Sequence, residues 1–112
     1  MEESVFDLQA ALCQTMSNAQ RLRIVHLLRQ GPLAVHEIVD LTGLAQAKVS
    51  QHLTVLRMQG VVSAQREGMS VIYHITNPQM ALICDLMREM LANQAAHRAD
   101  LLDELNRLTS QQ

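Results

Sequence analysis

The chain has almost no aromatic side chains: no tryptophan, one tyrosine and one phenylalanine in 112 residues. Groups that stack on splayed single-stranded bases are therefore scarce, which turns any nucleic-acid role towards duplex readout. Cysteine is nearly as rare. Cys13 and Cys84 lie far apart with no C-x-x-C, which argues against a zinc ribbon or a disulfide-stapled secreted fold and leaves two thiols suited to a reducing compartment. Hydrophobic residues make up 48% of the chain, yet none of their runs has the length of a membrane span, and the acidic start MEESVFDL lacks the basic region of a signal peptide. The expectation is a cytoplasmic protein with no membrane partner. No Ser/His/Asp spacing, glycine-rich phosphate loop or pair of carboxylates stands out, so the chain reads as a non-enzyme without a cofactor.

A strong net charge is also missing. The total of −2 looks wrong for a DNA-binding protein until it is divided along the chain. Residues 20–66 hold Arg21, Arg23, Arg29, Lys48, Arg57 and Arg66 against only Glu37 and Asp40, a net of +4. The segments on either side carry −3 each. The positive charge is concentrated in one stretch, and a dimer would double that footprint for backbone phosphates.

That stretch contains the most informative residues, Leu44 to Gly60. Val49, Leu53 and Leu56 repeat at the spacing of one helix face, while Gln46, Lys48, Ser50, Gln51 and Thr54 lie elsewhere around it. The pattern predicts a helix with a buried back and a hydrogen-bonding front free of carboxylates. Just before it, Val35 to Thr42 reads as a shorter amphipathic helix with Val35, Ile38, Val39 and Leu41 apolar, and Gly43 suits a tight turn between the two. Residues 35–59 thus read as a helix-turn-helix. Amide, hydroxyl and ammonium groups fit the major groove, although a merely solvated face would contain the same residue types.

After Gly60 the periodicity changes. Val61 to Arg66 is strand-like, Glu67-Gly68-Met69-Ser70 forms a turn, and Val71 to Ile75 is a second strand, so residues 61–75 read as a hairpin wing with Arg66 near its tip. Helix-turn-helix followed by hairpin is the order of a winged-helix DNA-binding domain, in which Arg57 and Arg66 would face the backbone or minor groove. Upstream, Val5 to Thr15 is expected as a first helix capped by Ser4, and Ala19 to Arg29 as a second, capped by Ser17 or Asn18. Arg21 and Arg23 read first as braces of the fold and second as phosphate contacts. Asn77-Pro78 opens a last helix of six turns or more, expected to break near Asn93. Its Met- and Leu-rich stripe is too large for a small domain to cover. Residues 1–16 and 78–108 are therefore assigned to dimerisation. The expected fold class is mainly α with a small β-hairpin: one domain over 1–112, with four helices, the two-stranded wing and a fifth helix, dimerising through the outer helices.

The runs MSNAQRLRIVHLL, VHEIVDLTGLAQAKVSQHLTVLRMQGVV and REGMSVIYHI resemble the ArsR/SmtB family of small repressors over about Leu12 to Leu91. The most specific part is Ser50-Gln51-His52-Leu53, followed by Leu56-Arg57 and a helix-ending glycine. The resemblance implies a homodimer that binds a palindromic duplex operator and releases it on a chemical signal. Metal-sensing members often carry Asp-x-His and His-x-x-Glu on the last helix. The matching positions here are Asn77, Gln79, Met90 and Asn93, and the arsenic-type Cys-x-Cys would fall on Ala34 and His36, so neither inducer is carried over and no metal site is expected.

Cys13 and Cys84 remain as candidate thiol sensors, because both lie on helices assigned to dimerisation. An oxidant, a sulfur species or a soft metal are the corresponding inducers. The competing reading makes both cysteines small buried hydrophobes. The five histidines are dispersed, and for His52 a structural or phosphate-contact role outweighs metal binding. Two rivals to the inducible repressor stay open: a protein-interaction module on the same scaffold, and a constitutive DNA-binding regulator with no small inducer.

Overall fold

Residues 4–110 are described in the computed structural model. Helix α1 spans Val5–Thr15, α2 Ala19–Leu28, strand β1 Leu33–Ala34, α3 Val35–Thr42, α4 Gln46–Met58, β2 Val62–Glu67, β3 Ser70–Ile75 and α5 Pro78–Ser110. The first three residues of the segment assigned to dimerisation, 1–16, lie outside the described residues.

Local chemistry sets most of these boundaries. Ser4 and Asp7 form a reciprocal capping box at α1, with the Asp7 N–H donating to Ser4 Oγ at 3.1 Å and the Ser4 N–H to Asp7 Oδ2 at 3.1 Å. The Ser4 N–H, together with the Ser4 hydroxyl that donates to Asp7 Oδ2 at 2.9 Å, stabilises the Asp7 carboxylate and holds its pKa below the ordinary value. Asn18 Oδ1 accepts from the N–H groups of Gln20 and Arg21 and starts α2. Glu37 reaches back to the Ala34 N–H at 2.9 Å and fixes the start of α3. That helix ends at Gly43, whose φ of 73° is the left-handed conformation that lets the Gly43 N–H bond the Val39 carbonyl at 2.8 Å. Asn77 caps α5 through the Gln79 N–H.

The sheet has the order β1-β3-β2 and is antiparallel throughout. Strand β1 is an addition to the expected order of elements: Leu33 pairs with Tyr73 and Ala34 with Ile72, covering the free edge of β3. In the wing, Glu67 pairs with Ser70, leaving Gly68-Met69 as a two-residue loop. Gly68 has φ 60° and Met69 does not take positive φ, the signature of a type II′ turn, which matches the twist of a hairpin.

The chain forms two compact units divided within α5, one ending at Ala81 and the other starting at Leu82. In the first, Ile24, Val25 and Leu28 of α2, Ile38 of α3, Val49, Leu53 and Leu56 of α4, and Val62 of β2 are buried. The second unit is a helix. The expected break near Asn93 is absent: α5 runs 33 residues without interruption, about 50 Å at 1.5 Å per residue. A single Asn costs little inside a helix, and it is followed by Gln94, Ala95 and Ala96, which are strong helix formers. Every residue from Leu86 to Ser110 is exposed, including the apolar Met87, Met90, Leu91, Leu101, Leu102, Leu105 and Leu108.

Candidate nucleic-acid interface

The back of α4 is anchored by Val49, Leu53 and Leu56, each with no exposed surface. Gln46, Lys48, Ser50, Gln51, Thr54 and Arg57 are all exposed, so the helix presents the hydrogen-bonding front that its pattern predicted. At about 100° per residue, the ridge farthest from the core runs through Ala47, Gln51, Thr54 and Met58. Gln46, Ser50 and Arg57 flank it on one side and Lys48 on the other. The Thr54 hydroxyl donates to the Ser50 carbonyl at 2.9 Å, which fixes its rotor and leaves its oxygen lone pairs and methyl group outward.

Ala47 and Met58 did not stand out in the sequence, because neither carries a hydrogen-bonding group. Their signal was positional: they complete the 47, 51, 54, 58 spacing of the front ridge, and Met58 is 77% exposed. Such apolar groups suit the thymine methyl in a major groove. The start of α4 has no side-chain cap and no acidic residue in its first turn. A helix N-terminus in that condition, with Lys48 beside it, is compatible with a phosphate.

Arg66 is exposed on β2, opposite Val71 and one pair before the turn. At the tip itself Met69 is 97% exposed. The structure therefore brings Gln46, Lys48, Ser50, Gln51, Thr54 and Arg57 together on one helix and places Arg66 separately on the wing.

His52 lies at the border between front and back and is half-buried. Its Nδ1 accepts from Arg21 Nε at 3.4 Å. Burial first, then the charges of Arg21 and Lys48, push its pKa below the ordinary 6.5, so the ring is neutral at pH 7. Arg21 thus has the bracing role expected of it. Arg23 is exposed and reaches Gln20 at 3.4 Å.

The two cysteines differ. Cys13 is exposed on α1, whereas Cys84 is buried on α5 and burial pushes its thiol pKa up. Among the described residues, no three His, Cys, Asp or Glu side chains gather to hold a metal ion, and no helix is long and apolar enough to cross a membrane.

The family of bacterial regulatory proteins named arsR matches residues 18–64. The HTH-type transcriptional regulator Rv0081 of Mycobacterium tuberculosis is 35% identical over 92% of this chain and 91% of its own. Its crystal structure superposes with a TM-score of 0.79, covering 88% of this chain and 99% of that one at 34% identity. The HTH-type transcriptional repressor SmtB of the same organism is 35% identical over 70% of this chain and 58% of its own. The solution structure of Mb0332 from Mycobacterium bovis, described as a homodimeric winged helix-turn-helix DNA-binding domain, gives a TM-score of 0.76 at 31% identity, covering 83% of this chain and 86% of that one.

Proposed function

The chain belongs to the arsR family of bacterial regulatory proteins and is a transcriptional regulator, and we propose that it acts as a homodimeric repressor on a two-fold symmetric duplex operator. The observation that carries this reading is the front of α4: a fully buried back presents amides, hydroxyls and cations outward with no carboxylate among them. Gln51 and Thr54, at the centre of that front, read base edges, and Ala47 supports them with its methyl group. Gln46, Lys48, Ser50 and Arg57 flank them and hold phosphates, and Arg66 brings the wing to the backbone or minor groove.

The residue ranges divide accordingly, with 35–59 as the reading head, 61–75 as the wing, and 1–16 and 78–108 as the dimerising segments of one winged-helix domain. Two features support dimerisation: the relative Mb0332 is homodimeric, and α5 leaves Met and Leu side chains uncovered along its length, the kind of apolar surface that marks interaction sites. The two-fold axis sets the recognition helices about 34 Å apart, one turn of the duplex.

Release of the operator is assigned to a small chemical signal. In the single protomer Cys13 is exposed and Cys84 is buried, so Cys13 is the thiol of the protomer open to such a reagent.

The test is retardation of a duplex from the region upstream of the protein's own gene, with reduced protein, with oxidised or polysulfide-treated protein, and with a Cys13→Ser, Cys84→Ser double variant. Retardation by reduced protein that is lost only in treated wild type supports both the repressor and the thiol signal. Equal retardation in all samples keeps the repressor and removes the thiols as its sensor. A protein that retards neither this duplex nor any recovered by selection from a random pool is not a sequence-specific repressor.

A further inference from the structure

The first turn of α2 breaks a local rule. A helix N-terminus favours acidic side chains, and the third helical position after an Asn cap is where Glu or Gln would complete a capping box. Here that position is Arg21, and the first turn of α2 contains no acid. The Asn18 cap satisfies the Arg21 backbone N–H at 3.1 Å, but the guanidinium turns away from its own helix. One arm, Nη1, donates to the Thr15 carbonyl at 3.1 Å, and Nε donates to His52 Nδ1 at 3.4 Å.

Both acceptors are informative. The Thr15 carbonyl is one of the last four of α1, which have no partner within that helix. The Gln14 carbonyl nearby accepts from the Ser17 hydroxyl instead. His52 is the residue after Gln51, at the edge of the reading face of α4, and its ring can accept at Nδ1 only while that nitrogen carries no proton. Arg21, Lys48 and the ring are the charged and titratable groups that meet there. One cation thus joins the end of α1 to the flank of α4 across residues 15, 21 and 52.

We infer that Arg21 is a positioning residue of the DNA interface: acting through His52, it fixes the pitch of the reading helix against the end of α1. The inference rests on the assignment of α4 to DNA. Such a residue governs how accurately Gln51 and Thr54 meet base edges. It has little to do with how strongly cations hold phosphates, so its loss lowers the preference for the operator and spares general affinity.

The experiment compares the full-length protein with Arg21→Gln, His52→Leu, the double variant and His52→Asn, whose amide oxygen can accept where Nδ1 did. The probes are a duplex selected from a random pool by the wild-type protein and a scrambled duplex of the same composition. The expected result is an operator affinity lowered about five- to thirtyfold by either single change, since a bond of this kind contributes on the order of a factor of five and both protomers lose it. The double variant is no worse than the singles, His52→Asn stays within about twofold of wild type, and scrambled-duplex affinity is unchanged. A ratio of operator to scrambled affinity that does not move overturns the inference, as do effects that multiply in the double variant. A parallel fall on both duplexes with a shallower salt dependence in Arg21→Gln also overturns it, making Arg21 a phosphate contact. If Arg21→Gln does not fold, the difference between His52→Leu and His52→Asn decides. A wild type that selects no duplex overturns the DNA assignment itself and the positioning role with it.

Discussion

Salt dependence gives the proposed interface a number. Lys48, Arg57 and Arg66 are the exposed cations assigned to the duplex backbone on each protomer, so a dimer neutralises about six phosphates. Counterion release then predicts a slope of log affinity against log salt of about −5, and a fall of roughly a thousandfold between 50 and 200 mM salt. Arg66→Ala removes two of those six contacts in the dimer. It should reduce the slope by about 2 and the loss over the same salt range to roughly a hundredfold. Gln51→Ala carries no charge change and should lower operator affinity with the slope intact. Fluorescence anisotropy of a labelled duplex, titrated at four or five salt concentrations, reads all three slopes. A wild-type slope near zero would refute the phosphate contacts, and an unchanged slope in Arg66→Ala would remove the wing from them.

Other consequences are more local. Leu53 has no exposed surface, so Leu53→Ala should cost about 2–5 kcal/mol and lower the thermal midpoint by about 10 °C or more; a shift within the error of calorimetry would show that α4 is not held by its buried back. In folded protein diluted to monomer, iodoacetamide should alkylate exposed Cys13 well before buried Cys84, whose thiol burial also keeps protonated, with the difference vanishing in urea. Peptide mass spectrometry showing equal native rates would contradict that order. Because the folded protein holds the His52 pKa below 6.5, it binds fewer protons than the unfolded chain as pH drops. The stability contributed by the neutral ring is complete above about pH 6.5 and is lost as pH falls through the folded value. The thermal midpoint of wild type should therefore decline between pH 7.5 and 5.5 more steeply than that of His52→Asn, and identical slopes would argue against the neutral, acceptor form.

Much of the architecture was legible because its signals are local. Ser4, the Ser17-Asn18 pair and Asn77 announced three helix starts, and Ser4, Asn18 and Asn77 each satisfy a nearby backbone donor. Gly43, Gly60 and Gly68 marked three places where the chain takes the left-handed conformation. The split of α4 into back and front followed from a spacing of three and four residues. What the sequence did not disclose is non-local. Strand β1 is two residues long and has no period of its own. It exists because the edge of β3 at Ile72 and Tyr73, some forty positions away, supplies its partners. The run Val35, Ile38, Val39, Leu41 looked uniformly apolar, yet Ile38 is fully buried while Leu41 is 60% exposed. A period alone cannot say how far a neighbouring helix extends over such a face.

The members of the proposed site differ in how visible they are in the sequence. Gln46, Lys48, Ser50, Gln51, Thr54, Arg57 and Arg66 announce themselves by chemistry, whereas Ala47 and Met58 emerge only from their place on the ridge. Arg21 was legible as a brace. That it reaches both Thr15 and His52 depends on a helix-to-helix arrangement that residue spacing does not encode. Asn93 suggested a break because Asn so often ends helices, but an uninterrupted ladder on both sides outweighs the small local cost. The contrast between Cys13 and Cys84 in burial was likewise invisible, since both occupy apolar positions in helical sequence.

The most direct test of the DNA-binding front is a Lys48→Ala, Gln51→Ala double variant, followed by mobility shift on a duplex selected by the wild-type protein and by light scattering for its mass. Both side chains are exposed on α4, away from its buried face. The variant is expected to lose retardation of that duplex while keeping the wild-type thermal midpoint and dimer mass. Retardation equal to wild type, in a variant that is folded and dimeric, would contradict the assignment of this face to the major groove.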